Sequence, residues 1–558
     1  MKIKLLFIAI LVVFLLCSCG DKSSDIESNQ AEEPTPMMDQ LVVSPASLDN
    51  NNKKYNEENN RYCFYVKGEN NKSELYLYDT VEYKKVLISD HGNCRMDFFS
   101  SDNNTIIFED DRGLIFGQIS DKGVETEIIE TEFAYALANR DNSVVVYLQN
   151  ANHNEQEKVF NIIWYSTLEQ KKIQIASNVT QQNALFYGQV HLMNNGNRVV
   201  WIDDNYRLYE WSIDNVVTMI SDFVGCAYAE HIFVWGTDEE LFYGNTNGIY
   251  CKTKDKAAEL VISYSEGFEI RTILKSEGDK CRFYYQINDG QDSDAEPVLF
   301  FFDGRKPVKV ASLADASLRL YNDGSGYINY QKGSAIILDG KMVYEGDSQI
   351  NSICTNDDKS EIAVLWQDND YSLERIQIES TGAKHKTVDN NVKLIYCFSN
   401  TGELLYMKQD NSQNSDYSAM YCNGKLVDSN CEEIVEFWYN KKPLYYSLCD
   451  DKNGGIDHTN DEYALKIYRD GKVSEVAREI RERCIFFAGD NIMIGTDYEN
   501  LSNPALGYIV SGTIKLCQYD KSGLIIIDDN VTEVSTNIEY DYLQNCTCSS
   551  AYTRNSFY

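Results

Sequence analysis

Oxygen-rich loops are the first residues of this chain with chemistry to offer. Asp451, Asn453 and Asp457 lie in DDKNGGID, and Asp289, Asp292 and Asp294 lie in NDGQDSD. Alternating oxygen ligands suit a hard cation, and calcium is the cation they would take. Neither loop ends in the bidentate Glu of the twelve-residue calcium loop, so a solvated insertion is the competing reading of each. The six histidines are His91, His153, His191, His231, His385 and His458. None lies in H-E-x-x-H, which excludes that zinc hydrolase arrangement. No G-x-S-x-G elbow occurs. The nearest string, Gly324-Ser325-Gly326, reads as a turn. Phosphate loops and dinucleotide fingerprints are also missing. Carboxylates are too abundant for one pair to be singled out, because a glycosidase pair is defined by its separation in space. No catalytic residue is therefore expected. No cofactor is expected either, apart from the calcium those two loops would suit.

Thiols are the second chemical resource. Residues 1–18 open with Lys2 and Lys4 and continue into the apolar run LLFIAILVVFLL (5–16). At about 1.5 Å per residue the run is too short to span about 30 Å of hydrocarbon, and it fits the apolar region of an export signal. Leu16, Cys17, Ser18 and Cys19 follow. This L-C-S-C string resembles the lipobox of bacterial lipoprotein precursors. The resemblance implies cleavage after Ser18 and lipid attachment at Cys19. Bulky Leu16 before Cys17 makes Cys17 the poorer candidate. Two or more acyl chains give stable anchoring without a transmembrane helix. Fourteen cysteines remain between Cys63 and Cys548, and many sit within apolar strand patterns. Buried free thiols are the expected role for most. No Cys/His spacing matches a zinc site.

Composition sets further bounds. The 558 residues carry a net charge of −35, which becomes −37 once Lys2 and Lys4 leave with the signal. No basic stripe offsets this field, so nucleic acid is excluded as a partner. An anionic lipid surface is repelled as well, which leaves the lipid anchor as the expected contact with membrane. Residues 19–59, with DKSSDIESNQAEEPTP and NNNKKYNEENN, bury too little apolar surface to fold alone and read as a tether. Its apolar piece LVVSP (41–45) is a candidate strand for the folded body. An AT-rich coding bias in Asn, Tyr, Ile and Lys points to a Gram-positive outer surface.

The elements that would position any site come from one repeated pattern. A polar turn rich in Asn, Asp or Gly leads at once into a short β-rich strand. The copies are ENNRYCFYV (58–66), SSDNNTIIF (100–108), NRDNSVVVYL (139–148), MNNGNRVVWI (193–202), GTDEELFYG (236–244), EGDKCRFYYQI (277–287), NDGSGYINY (322–330), TNDDKSEIAVLW (355–366), SNTGELLYM (399–407), NKKPLYYSL (440–448) and GDNIMIG (489–495). Between copies lies a strand, a tight turn and a strand, as in LYLYDTVEYKKVLIS (75–89) and AIILDGKMVYEG (335–346). Asp303-Gly304, Asp339-Gly340, Asn423-Gly424 and Asp470-Gly471 accept the positive φ that a two-residue hairpin requires. Four strands in each unit is the size of a propeller blade. The FFSSDNNTIIF copy (98–108) resembles the TolB-type, WD-repeat-like motif S-P-D-G-x-x-I-x-F, with Ser101 in place of proline and Asn103 in place of glycine. The layout also resembles poorly characterised propeller lipoproteins of clostridia and their relatives.

The expected architecture is all-β, with about eleven four-stranded blades in tandem propellers after the signal peptide (1–18) and tether (19–59). Rings typically close with four to eight blades. Two rings are therefore expected, at 60–312 and 313–545, with LADASLRL (313–320) as the junction and 546–558 as a tail. LVVSP and IEYDYL (538–543) are the strands available for closure. A solenoid of stacked sheets is the alternative. Trp164, Trp201, Trp211, Trp235, Trp366 and Trp438 should mostly pack between blades, a few being free to meet sugars or peptides. The function expected is binding or scaffolding outside the cytoplasm. The partner would be an envelope protein, peptide or wall glycan. A surface polysaccharide hydrolase or lyase, using carboxylates at a propeller mouth, is the alternative.

Overall fold

The computed structural model describes Val42–Ser44 and, with internal gaps, residues 61–536. Cys19, both acidic calcium candidates, Ser101, Asn103, Trp438, His153, His231, His458 and the segment 538–543 lie outside the described residues. Residues 40–558 group as one compact unit.

Among the described residues the chain is built of strands and turns, with no α-helix. Each unit is an antiparallel sheet of four strands in chain order, here lettered a to d. Blades 2 to 8 take residues 95–130, 133–181, 190–221, 233–263, 269–312, 317–346 and 350–389. The eleven polar-led copies are the b strands of eleven blades. The reason is local. Asn139 Oδ1 accepts from Val144 N at 2.8 Å, and Asn356 Oδ1 accepts from Glu361 N at 2.8 Å. Asp141, Asp323 and Asp358 each accept the amide of a serine two residues on. The residue between them takes positive φ: Asn142, Gly324 or Lys359. Asn and Gly tolerate this conformation, so the turn is specified locally, beside the strand it leads into.

Two strands do double duty. Lys425–Val435 pairs first with Ser418–Cys422 as the d strand of blade 9, then with Leu444–Asp450 as the a strand of blade 10. Gly523–Thr536 ends blade 11 (485–536) and then pairs antiparallel with Tyr62–Lys67, so it also supplies the a strand of blade 1. Thus the last described strand joins the first blade. Val42–Ser44 is taken up too, but on blade 5, in parallel with Phe233–Trp235. The 313–320 segment forms the a strand of blade 7 at Ser317–Leu320. Leu313 and Leu318 pack there with Tyr284, Phe301 and Ile337, so apolar core runs across that point without a gap.

Apolar clusters bind each blade to the next. Phe64 and Leu77 meet Ile106 and Phe108 between blades 1 and 2, and Phe160 and Trp164 meet Trp201 and Trp211 between 3 and 4. The series ends where Met493, Leu516 and Val531 of blade 11 meet Cys63 and Tyr65 of blade 1. The b strands alternate side chains onto both blade faces, and where described they are mostly buried, as in Glu361–Trp366 with only Glu361 half-buried. The d strands are the exposed outer ones, as in Lys341–Gly346 and Lys472–Arg478. Trp164, Trp201, Trp211 and Trp366 are all buried in these interfaces.

The hairpin turns resolve into two kinds. Asp339-Gly340 and Asn423-Gly424 have positive φ at both positions, as the two-residue form demands. Asp303 does not. Phe302 pairs with Pro307, and Asp303 Oδ1 caps the amides of Arg305 and Lys306, which makes a four-residue loop. At Gly340 an added Cβ would lie 2.3 Å from the Phe301 ring, and φ is +76°. Gly340→Ala should therefore cost about 2 kcal/mol through strain and overpacking, read as a lower urea midpoint.

Candidate functional site

The antiparallel order places a–b turns and c–d hairpins at one rim, and b–c turns and d–a crossovers at the other. At the second rim one polar arrangement recurs. In blade 1, Tyr65 Oη donates to Asp528 Oδ2 at 2.9 Å, Lys67 Nζ to Oδ1 at 2.6 Å and Lys85 Nζ to Oδ2 at 2.7 Å. In blade 9, Tyr406 Oη and Lys408 Nζ donate to Asp389 at 2.6 and 2.7 Å. In blade 3, Tyr147 Oη and Gln149 Nε2 donate to Glu130 at 3.0 and 3.2 Å. Each acid comes from the outer strand of the preceding blade. Burial pushes the Asp528 carboxyl up, but its bonds from Lys67, Lys85 and Tyr65 prevail and hold it below the usual carboxylate range. Burial and the Asp528 charge together raise the Tyr65 hydroxyl well above its ordinary value. These groups hold blades together and are consumed in doing so.

That arrangement was missed in the sequence, although its signal is short: Tyr65-Val66-Lys67, Tyr147-Leu148-Gln149 and Tyr406-Met407-Lys408 at one position of the repeat. The tyrosine also stacks on an aromatic directly across the sheet in blades 1 and 9, Tyr65 on Tyr76 and Tyr406 on Tyr421. Lys85 and Lys408 then sit over the outer rings. The pattern yields clamps rather than reactive groups, because every charge has its counter-charge at hydrogen-bond distance.

Blades 4 and 5 depart from it. Glu210 is buried and pairs with Arg198 of its own blade and with Lys252 of blade 5, the latter at 3.0 Å. His191, on the a strand of blade 4, lies directly across from Val200, which in turn lies across from Glu210. His191 is buried, and among the described residues its Nε2 has no hydrogen-bond partner. Burial pushes its pKa down to about 4. The other described histidines differ. His91 is exposed, and His385 is 3.4 Å from Glu374 with its ring against Tyr344. On the outer edge, the d strand Val216–Ser221 exposes Val217 by 49% and Met219 by 52%. Ile213 precedes them at one rim. Phe223 follows at the other, with its ring 6.0 Å from exposed Tyr206. All are exposed apolar side chains on or beside the outer strand of blade 4.

Among the described residues no group of three or more His, Cys, Asp or Glu side chains could hold a metal ion. Of eight described cysteines six are buried, and Cys251 and Cys354 are half-buried. Among the described residues no helix is long and apolar enough to cross a membrane.

No protein-family model matches the chain, and no curated protein does. Among solved structures it is similar to a eukaryotic initiation factor at 10% identity and TM-score 0.35, over 75% of this chain and 95% of that one. It is similar to the tricorn protease at 12% identity and TM-score 0.29, over 86% and 61%. It is similar to dipeptidyl peptidase 4 of Porphyromonas gingivalis at 10% identity and TM-score 0.30, over 81% and 60%. The chain thus spans about three-fifths of the length of each of the last two. The assignment to all-β propeller blades rests on the strand order and register described above.

Proposed function

We propose that this chain is a binding or scaffold module of the cell envelope, held outside the cytoplasm by lipid on Cys19. Its partner is a polypeptide that docks on the outer strand of blade 4. The supporting observation is the exposure of Ile213, Val217, Met219 and Phe223 on or beside that strand, on a chain of net charge −35. Exposed large apolar side chains gathered on one outer strand suit an interaction surface. An outer strand also offers unpaired backbone groups to a partner. The lipobox-like Leu16-Cys17-Ser18-Cys19 supports the address, and FFSSDNNTIIF supports descent from TolB-type repeats.

The test is cross-linking in the native cell, with partner identification, for the full-length protein and for Val217→Glu/Met219→Glu. A saturable envelope protein partner is expected, with capture at least tenfold lower for the double variant at unchanged melting temperature. Equal capture by both forms would refute this reading.

A further inference from the structure

The inner edge of blade 5 carries an added strand. Val42 lies opposite Phe233, Val43 opposite Val234 and Ser44 opposite Trp235, all in parallel. Among the described residues blades 2 to 4, 6 to 9 and 11 end at their a strand, while blades 1 and 10 share theirs with the preceding blade. The added strand comes from the apolar piece within the polar tether, and residues 45–61 join it to blade 1. Those seventeen residues reach at most about 60 Å.

A strand of three residues is a weak occupant. Each ladder hydrogen bond contributes about 1 kcal/mol net. Ordering each residue costs about as much. What keeps it in place is tethering, which gives a flexibly linked segment an effective concentration of about a millimolar. Recognition by an open strand edge is read through backbone N–H and C=O groups, so it admits other extended segments of similar character.

We infer that the inner edge of Phe233–Gly236 is a binding site for an extended, β-branched peptide, and that Val42–Ser44 occupies it in cis. A peptide supplied in trans takes the same edge once the cis strand is withdrawn. The ligand class is an unstructured polypeptide segment that lacks proline among the paired residues, since proline cannot donate to the ladder. This edge is the inner one of blade 5, whereas the exposed apolar side chains are on or beside the outer strand of blade 4, so the two surfaces stand or fall separately.

The test uses the full-length protein in detergent and the labelled peptide Met-Asp-Gln-Leu-Val-Val-Ser-Pro-Ala-Ser, residues 38–47. Val42→Pro/Val43→Pro should bind this peptide at least tenfold more tightly than the parent, measured by fluorescence anisotropy. A second variant, with 41–45 replaced by a Gly-Ser run, should behave in the same way. Methylation of the peptide's Val and Ser amides should abolish binding. Amide exchange at 233–236 should be slow in the parent, fast in the proline variant, and slow again with peptide. Equal affinity for parent and variants would overturn the proposal. So would no binding to any form, which would make the cis strand a structural staple only, or binding that leaves exchange at 233–236 unchanged. Val217→Glu/Met219→Glu should leave peptide binding as it is, which separates this result from the outer-strand reading.

Discussion

Asp528→Ala should loosen the first and last blades together and lower stability by about 3 kcal/mol. The carboxylate is 5% exposed and receives two ammonium groups and a tyrosine hydroxyl. Its removal leaves Lys85 without this counter-charge and Lys67 with exposed Asp529, at 3.2 Å. Lys67 is 28% exposed and Lys85 47%, so solvent screens part of the loss, which places the estimate at the low end for a broken buried pair. Asp389→Ala should cost less, because one lysine rather than two depends on it. The pH dependence has a definite sign. The Asp528 carboxyl is held below its ordinary value, so its contribution is complete above the ordinary carboxylate range and disappears as pH falls through the lowered value. Urea unfolding at pH 7 and pH 3 measures both effects, and the two forms should differ less at pH 3.

The second large effect is at His191. Buried, with no hydrogen-bond partner for Nε2 among the described residues, its imidazole has a pKa pushed down to about 4 from 6.5 and stays neutral in the fold above that value. In the unfolded chain it takes up a proton near pH 6.5. Between those two values the unfolded state binds more protons, so stability falls as the solution is acidified from about 6.5 to about 4. The full difference is about 3 kcal/mol. Below about pH 4 both states are protonated and this contribution stays constant. His191→Leu should remove that part of the slope and leave the steeper loss at lower pH, where carboxylates such as Asp528 titrate. Stability curves for both proteins from pH 7.5 to 3.5 make the comparison. Parallel curves through the 4 to 6.5 window would count against a neutral buried imidazole.

The blades were legible because each is announced locally. An Asn or Asp turn, a positive φ at Asn142, Gly196 or Gly324, and a run such as VVVYL lie within ten residues of one another. The hairpins at Asp339-Gly340 and Asn423-Gly424 were legible for the same reason, whereas Lys306 and Pro307 lengthened the loop at Asp303. Completion of a blade by a terminal strand was expected, but not that the strand would be Gly523–Thr536. The pairing of Cys63 with Thr536 and Lys67 with Val531 joins residues at opposite ends of the chain, and no local pattern records it. Strand sharing was hidden because Gly523–Thr536 and Lys425–Val435 each read as one strand and serve two blades. Among possible site residues, the tryptophans behaved as apolar spacing suggests, four of them being buried between blades. The tyrosine clamps escaped because a Tyr-x-Lys on a buried strand gains meaning only once the preceding blade brings an acid to it. The apolar piece 41–45 was recognisable as a strand, but its partner strand was not.

The last described strand, Gly523–Thr536, completes the first blade. Hydrogen exchange followed by mass spectrometry, on the parent and on Asp528→Ala, tests it most directly. Exchange in 62–67 and 531–536 should be slow in the parent and should rise together in the variant, while 317–320 and 334–338 of blade 7 stay as they were. A rise confined to 531–536, or one that couples 62–67 to the residues near 312 instead, would contradict closure through this strand.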